Sequence, residues 1–411
     1  MKTLIGICLI IFFQAFIKTA GSSERSNNLP HLNVSVIGRY SLPEFGGDTE
    51  IIEAKFGENP LGLMTYVKDR PGEICPRTGE VMQNVFVSPL DPYTGLPLEP
   101  SQSRKVGSNE CGNPLLSDAE FGLDLVGRPL LTYTSDVGVQ FVQFQGNDWK
   151  SVNIVNQKIP GSSNWQIAGE PLSRELPELQ IEVITNPTLP EVYRSSNVIW
   201  LRIITDSSGM ITNAKKIYKF NRYTSLKSHI HPEDPTRFIR VGRNEIYEFS
   251  DKGIDLQLIH DRFPKSPMRT WMIPGHECID LGLQPIANLQ PCPAIVFGEV
   301  NSKGKWALVV KAKNSDDRWI EVLRVPYNSF VRLNVNLISH LSPPRSVILA
   351  TGDGDARLYF LNGESFVIEN GMVHGRGSEM LYFSESHLLG VYYGNSTTKE
   401  LLVSMVYVTQ E

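Results

Sequence analysis

Six times along this chain a short run of β-branched and aromatic residues turns back around an Asx/Gly pair. The runs are Tyr133 to Phe141 around Asp136 and Gly138, Arg202 to Ile211 around Asp206 and Gly209, and Tyr247 to Leu256 around Asp251 and Gly253. Phe297 to Trp306 around Asn301 and Gly304, Arg357 to Phe366 around Asn362 and Gly363, and Val391 to Leu402 around Asn395 complete the series. Apolar, β-favouring runs joined by such turns are the signature of β-hairpins. A chain built from successive hairpins must dispose of many sheet edges, and a radial array of four-stranded blades leaves few of them open.

No segment keeps a 3.6-residue apolar period between helix caps, and the best helical candidate is the short stretch from Ser117 to Leu125. The expected fold class is therefore all-β. Residues 119–411 are expected to form a five- or six-bladed β-propeller, with two stacked β domains as the alternative. Residues 23–118 read as a Pro-rich extension packed on or joining that domain. Ser88 to Pro100 is too proline-dense for a central strand, while Asn84 to Val87 is strand-like. Pro160 to Asn197 reads as a loop insertion around one strand, Leu179 to Thr185. The apolar run Leu401 to Val408 is a strong strand, suited to complete a blade begun by the N-terminus.

The first 22 residues have the order of a secretory signal: Lys2, an apolar run from Leu4 to Phe16, then small residues from Thr19 to Ser23. An uncleaved membrane anchor is the competing reading, although the run is short for a spanning helix. Cys8 falls in the leader, which leaves Cys75, Cys111, Cys278 and Cys292. Two disulfides are expected in an oxidising compartment, paired sequentially as Cys75–Cys111 and Cys278–Cys292. Asn33 and Asn395 head N-x-S/T sequons, and the latter is expected at an exposed hairpin tip. A net charge of −5 offers no basic surface for nucleic acid.

Several constellations hold chemistry-bearing side chains. His229 and His231, two apart on a strand, would share a face near Glu233 and Asp234, yet surface histidines before a turn account for them better than a metal site. Asp353-Gly-Asp355 suits a tight turn as well as a hard cation. No nucleophile elbow and no phosphate loop is present, and no cofactor is expected. Possible binding loops are the glycine-flexed stretch carrying His374, Arg376 and Glu379, and loops carrying Trp165 and Trp271, whose rings could stack on sugars; Trp149 and Trp319 are further candidates.

Ser135-Asp136-Val-Gly138-Val-Gln-Phe141 resembles the Asp-box hairpin of sialidases and related propellers, with Phe141 in the usual Trp position. In that motif the Asp and Gly make the turn, so the likeness implies fold more than activity. A sialidase clamps a carboxylate with three arginines, for which Arg202, Arg240, Arg324, Arg357 and Arg376 are the strand-borne candidates. Cys292-Pro-Ala-Ile-Val-Phe-Gly298 is similar to a Cys-Pro segment of paramyxovirus attachment glycoproteins, with Val296 where that family has its second Cys. This resemblance implies a receptor-binding propeller at an extracellular or virion surface. The expected function is thus recognition of a cell-surface protein or glycan by a secreted or surface-displayed propeller. The alternative is an extracellular glycan hydrolase, sialidase-like, with its active site in a central funnel.

Overall fold

The computed structural model describes residues 31–410 apart from connecting segments, the longest being 110–119, 154–161, 168–177 and 186–194. The expected leader, Cys75, Cys111 and the turn residues Asp136, Asp251 and Gly253 lie outside the described residues.

Strand β1 (Leu32–Leu42) comes first and six sets of four consecutive strands follow, each set an antiparallel sheet. The first sheet holds β2 (Thr49–Phe56), β3 (Asn59–Ile74), β4 (Val81–Pro89) and β5 (Arg104–Asn109), and the next β6 (Glu120–Leu123), β7 (Pro129–Ser135), β8 (Gly138–Gln145) and β9 (Asp148–Asn153). Then come β10 (Ser162–Ile167), β11 (Glu178–Thr185), β12 (Ser195–Thr205) and β13 (Ile211–Tyr223), and after them β14 (Ser228–Ile230), β15 (Arg237–Val241), β16 (Ile246–Ser250) and β17 (Gln257–His260). The fifth set is β18 (Pro264–Ile273), β19 (Cys292–Val300), β20 (Trp306–Lys313) and β21 (Trp319–Tyr327). The sixth is β22 (Arg332–Ile338), β23 (Arg345–Thr351), β24 (Asp355–Phe360) and β25 (Ser365–Asn370). The last three strands, β26 (Val373–Phe383), β27 (Leu388–Asn395) and β28 (Leu401–Gln410), take β1 as their fourth, in the order β1-β28-β27-β26. The described residues thus form seven four-stranded sheets and one short helix, α1 (Gly275–Asp280).

The first strands of neighbouring sheets pack on one another: β26 lies against β22 and β2, β22 against β18, β18 against β14, and β2 against β6. Sheets stacked in this way bury their second strands on both faces. Accordingly β19 is buried from Cys292 to Glu299, β23 throughout and β27 from Leu389 to Asn395, and they read as continuous apolar runs. The outer strand β1 instead alternates, with Val34 and Val36 packed on the core and Asn33, Ser35 and Ile37 exposed. Each such apolar side chain taken out of water contributes roughly 1.5–3 kcal/mol.

The turns repeat one device. At Asp206, Asn301 and Asn314 the side-chain oxygen accepts the amides two and four residues on, at 2.8 and 3.0 Å, 2.9 and 3.0 Å, and 3.1 and 2.9 Å. The backbone closes the same five-residue loop, and its fourth position is left-handed: Gly209 at φ 78, Gly304 at φ 72 and Asp317 at φ 62.

Several expectations are corrected. Within the stretch expected to be packed on or joining the main domain, residues 32–109 supply β1 and a complete sheet. The supposed insertion between Pro160 and Asn197 supplies β10 and β11 as well as part of β12. Where residues 119–411 are expected to hold five or six blades, the described residues hold seven four-stranded sheets. The helical candidate at Ser117 contains β6, and the helix instead carries Cys278 and leads into the Pro/Gly-rich stretch that ends at Cys292, the two cysteines joined in a disulfide with a Cα separation of 6.3 Å. The sequential pairing thus holds for this pair, while Cys75–Cys111 falls outside the described residues.

The proline-dense loop after β4 is ordered by its own chemistry. Asp91 accepts the Tyr93 and Thr94 amides at 2.9 and 2.8 Å, which lowers its pKa, and Leu90 pairs with Pro97. Gly95, at φ 68, sits on β27 and β28, where the buried Tyr392 hydroxyl donates to its carbonyl at 2.5 Å. A Cβ at Gly95 would lie 2.5 Å from the Met405 methyl and 2.8 Å from the Phe383 ring. Gly95→Ala is expected to lower unfolding free energy by about 2–4 kcal/mol, from left-handed strain plus overpacking, as read by urea denaturation.

Candidate functional site

The structure relocates the expected binding residues. His374 and Arg376 lie on strand β26, which continues past its glycines through a register irregularity between His374 and Glu379. Glu379 is buried and accepts from Arg332 Nη1 at 2.9 Å and from Asn334 Nδ2. Trp165 is on β10, opposite Val183, and Trp271 is on β18, where its Nε1 donates to Ser346 Oγ at 3.3 Å. Trp149 and Trp319 are strand residues too. None of these is a loop residue, because the strands run longer than the glycines and tryptophans suggested.

Two buried glutamates, Glu248 and Glu299, each bind cations of their own sheet and also reach a side chain of the adjoining sheet. Glu248, fully buried, meets Arg237 Nε at 2.7 Å, Lys313 Nζ at 3.3 Å and Trp319 Nε1 at 2.8 Å, with His231 Nε2 at 3.7 Å. Glu299 accepts a two-pronged bond from Arg324 at 2.9 Å and lies 3.0 Å from His260 Nε2. Arg324 also reaches Glu321, and the two carboxylates raise its pKa further. Arg357 pairs with Asp355, which accepts Tyr327 Oη at 2.6 Å and so helps hold a turn. Arg324 and Arg357 are thereby engaged on different sheets. The side chains of Arg202, Arg240 and Arg376 are not among those described. Asn395, expected at an exposed tip, is 8% exposed, and its Oδ1 accepts the Thr398 amide at 3.1 Å.

The exposed feature with most chemical content lies where the β22–β23 connection, the β26–β27 turn and the end of β28 meet. His340 is nearly parallel to three rings: Tyr382 at 10°, Tyr407 at 11° and His387 at 28°, with centroids 5.7, 5.8 and 4.9 Å away. His340 Nε2 lies 2.8 Å from the Val408 carbonyl, which can only accept, so that nitrogen carries a proton. In the neutral ring Nδ1 then accepts the Tyr382 hydroxyl at 2.9 Å. Burial raises the Tyr382 pKa and keeps it a donor. Its oxygen in turn accepts His387 Nδ1 at 3.1 Å, which turns the Nε2 lone pair of a neutral His387 outward. His387 holds φ 57, a left-handed position at which glycine would be easier, and its side chain is exposed.

Tyr407 is 37% exposed and Tyr93, on the neighbouring loop, 64%. That loop approaches the β26–β27 turn at Pro92, whose carbonyl lies 3.5 Å from Ser386 Oγ, and a shallow cleft between them is lined by Pro92, Tyr382 and Glu385. Sequence reading missed His340, His387 and Tyr407. The β1–β28 register puts Tyr407 opposite the exposed Ser35.

No protein-family model matches the chain, and no curated protein matches it. Among solved structures, a chain from the crystal structure of the S. cerevisiae core factor at 3.2 Å is similar, with a TM-score of 0.51 and 9% identity, over 94% of this chain. The chain spans 62% of the length of that one. At such identity the likeness concerns fold alone. Among the described residues no helix is long and apolar enough to cross a membrane, and no group of three metal-ligating side chains forms.

One further carboxyl stands out. Glu277 of α1 is 2% exposed, and burial raises its pKa to about 7 against the opposing pull of the Ser346 hydrogen bonds and Arg345. Its Oε2 accepts the Ser346 amide at 3.0 Å, so it pins the disulfide loop to the start of β23 beside the Arg345–Asp280 pair at 2.9 Å. The native state holds the Glu277 proton to higher pH than the unfolded chain does. This contribution is therefore intact below the unfolded pKa and lost as pH rises from about 4.5 to about 7. Glu277→Gln keeps an acceptor for Ser346 and is expected to flatten that decline, by roughly 3 kcal/mol over the window, in unfolding measured against pH.

Proposed function

We propose that the chain is a seven-bladed β-propeller that recognises glycans of cell surfaces from an extracellular or virion-surface location. The ring reading is supported by seven four-stranded sheets in chain order, by first strands that pack on their neighbours, and by a last sheet completed by the first strand. The single observation that carries recognition is the cluster of near-parallel rings in which the exposed His387 and Tyr407 stack on the half-buried His340, which also stacks on the buried Tyr382. Flat aromatic faces pack the apolar face of a sugar ring, and the flanking Ser384, Glu385 and Ser386 supply polar partners for its hydroxyls. The extracellular location draws on the leader-like residues 1–22 and on the Cys278–Cys292 disulfide.

The test is an array of mammalian cell-surface glycans probed with the purified chain. Wild-type protein binds a subset of the array. Tyr407→Ala weakens that binding about tenfold, the equivalent of roughly 1.4 kcal/mol, without moving the thermal midpoint. His387→Gly relieves the left-handed strain, so it keeps or raises the midpoint while binding falls. An array blank for the wild type, or binding indifferent to both substitutions, overturns the reading.

A further inference from the structure

The two sequons occupy opposite environments. Asn33 and the sequon hydroxyl of Ser35 both lie on the exposed side of β1, while Val34 between them packs on the core. Asn395 closes the buried strand β27, with its amide donating to the Glu400 carbonyl at 2.9 Å, its Oδ1 accepting the Thr398 amide, and Tyr393 and Leu401 beside it in the core. A bulky hydrated glycan needs a carboxamide nitrogen that reaches solvent. Asn33 lies on the exposed side of β1, whereas Asn395 is buried.

The place of Asn33 adds a purpose. β1 is the terminal strand of its sheet, eleven residues long, and no further strand pairs with it among the described residues. Ile37 and Tyr40 on that strand are 58% and 41% exposed. A long edge with exposed apolar side chains is the kind that recruits another strand. We propose that Asn33 carries an N-linked glycan that shields this open edge from edge-to-edge association, and that Asn395 is left unmodified. The inference rests on the extracellular reading above. In the transfer, Asn33 Nδ2 bonds to the anomeric carbon of a lipid-linked oligosaccharide, the carbon's bond to the lipid pyrophosphate breaks, and the amide gives up one proton.

The chain is secreted from a eukaryotic cell line in two forms, one with its own N-terminus and one behind an independent cleavable signal. Peptides released by peptide-N-glycosidase in heavy-oxygen water are mapped by mass spectrometry. The expected result is heavy aspartate at position 33 and unchanged Asn395. An unmodified Asn33, or a modified Asn395, in secreted protein overturns the assignment. Should only the form with its own N-terminus fail to reach the medium, the extracellular reading falls while the other form still decides the site. Asn33→Gln and Ser35→Ala, which both abolish the sequon, are expected to self-associate on gel filtration where the glycosylated chain is monomeric. If both variants stay monomeric, the edge-shielding role is overturned.

Discussion

The antiparallel pairing of β1 with β28 is the contact on which the rest of the architecture depends. It runs from Leu32 opposite Gln410 to Leu42 opposite Leu401, with one irregularity between Val36 and Gly38. Through it the two ends of the described chain share a sheet. Side chains reinforce the join. Arg39 reaches the Ile368 carbonyl at 3.0 Å and Glu369 at 3.2 Å on β25 of the neighbouring sheet, and the Leu32 amide is held at 3.3 Å by Glu364 in the turn before that strand. Closing a loop this long is entropically slow to reward, since local hairpins must be in place before the ends can meet.

Neighbouring sheets are joined by two kinds of chemistry. Between the β1-containing sheet and the β2–β5 sheet the joint is apolar, built from Phe45, Met64, Tyr66, Leu381, Tyr392 and Met405. Between the β14–β17 and β18–β21 sheets it adds Glu248 and Glu299 with their cationic partners. A buried ion pair is a poor source of net stability, but loss of one partner strands the other in a low-dielectric joint. Such pairs therefore specify which sheets may adjoin more than they strengthen the contact. The ring cluster differs from both, since its hydrogen bonds link Tyr382 to His340 and His387 and tie His340 to the Val408 carbonyl, with His387 and Tyr407 exposed at its outer side.

Local rules carried far in this sequence. The Asx/Gly turns at Asp206 and Asn301 form with the hydrogen bonds their residue types imply, and the terminal run from Leu401 pairs with the N-terminal strand as its pattern suggested. What stayed hidden was tertiary. The turn at Asn314 uses Asp317 in place of glycine and so gave no Asx/Gly signal. Prolines around Ser88 to Pro100 concealed a full sheet, because they cluster in one loop while β3 and β4 remain ordinary strands. The platform was illegible for a similar reason. His340, the Tyr382–His387 hairpin and Tyr407 lie in three separate segments, and Tyr407 in its valine-rich strand reads as core until the register shows it facing outward.

The β1–β28 register is the central claim, and cysteine cross-linking tests it most directly. Ser41 faces Leu402 across the pair, so Ser41→Cys with Leu402→Cys is expected to form a disulfide in the native protein, seen by non-reducing peptide mapping. Ser41→Cys with Val403→Cys, one residue out of register and on the other face of the sheet, is expected to stay reduced. A disulfide in the second variant but not the first, or in neither, would contradict the closure described.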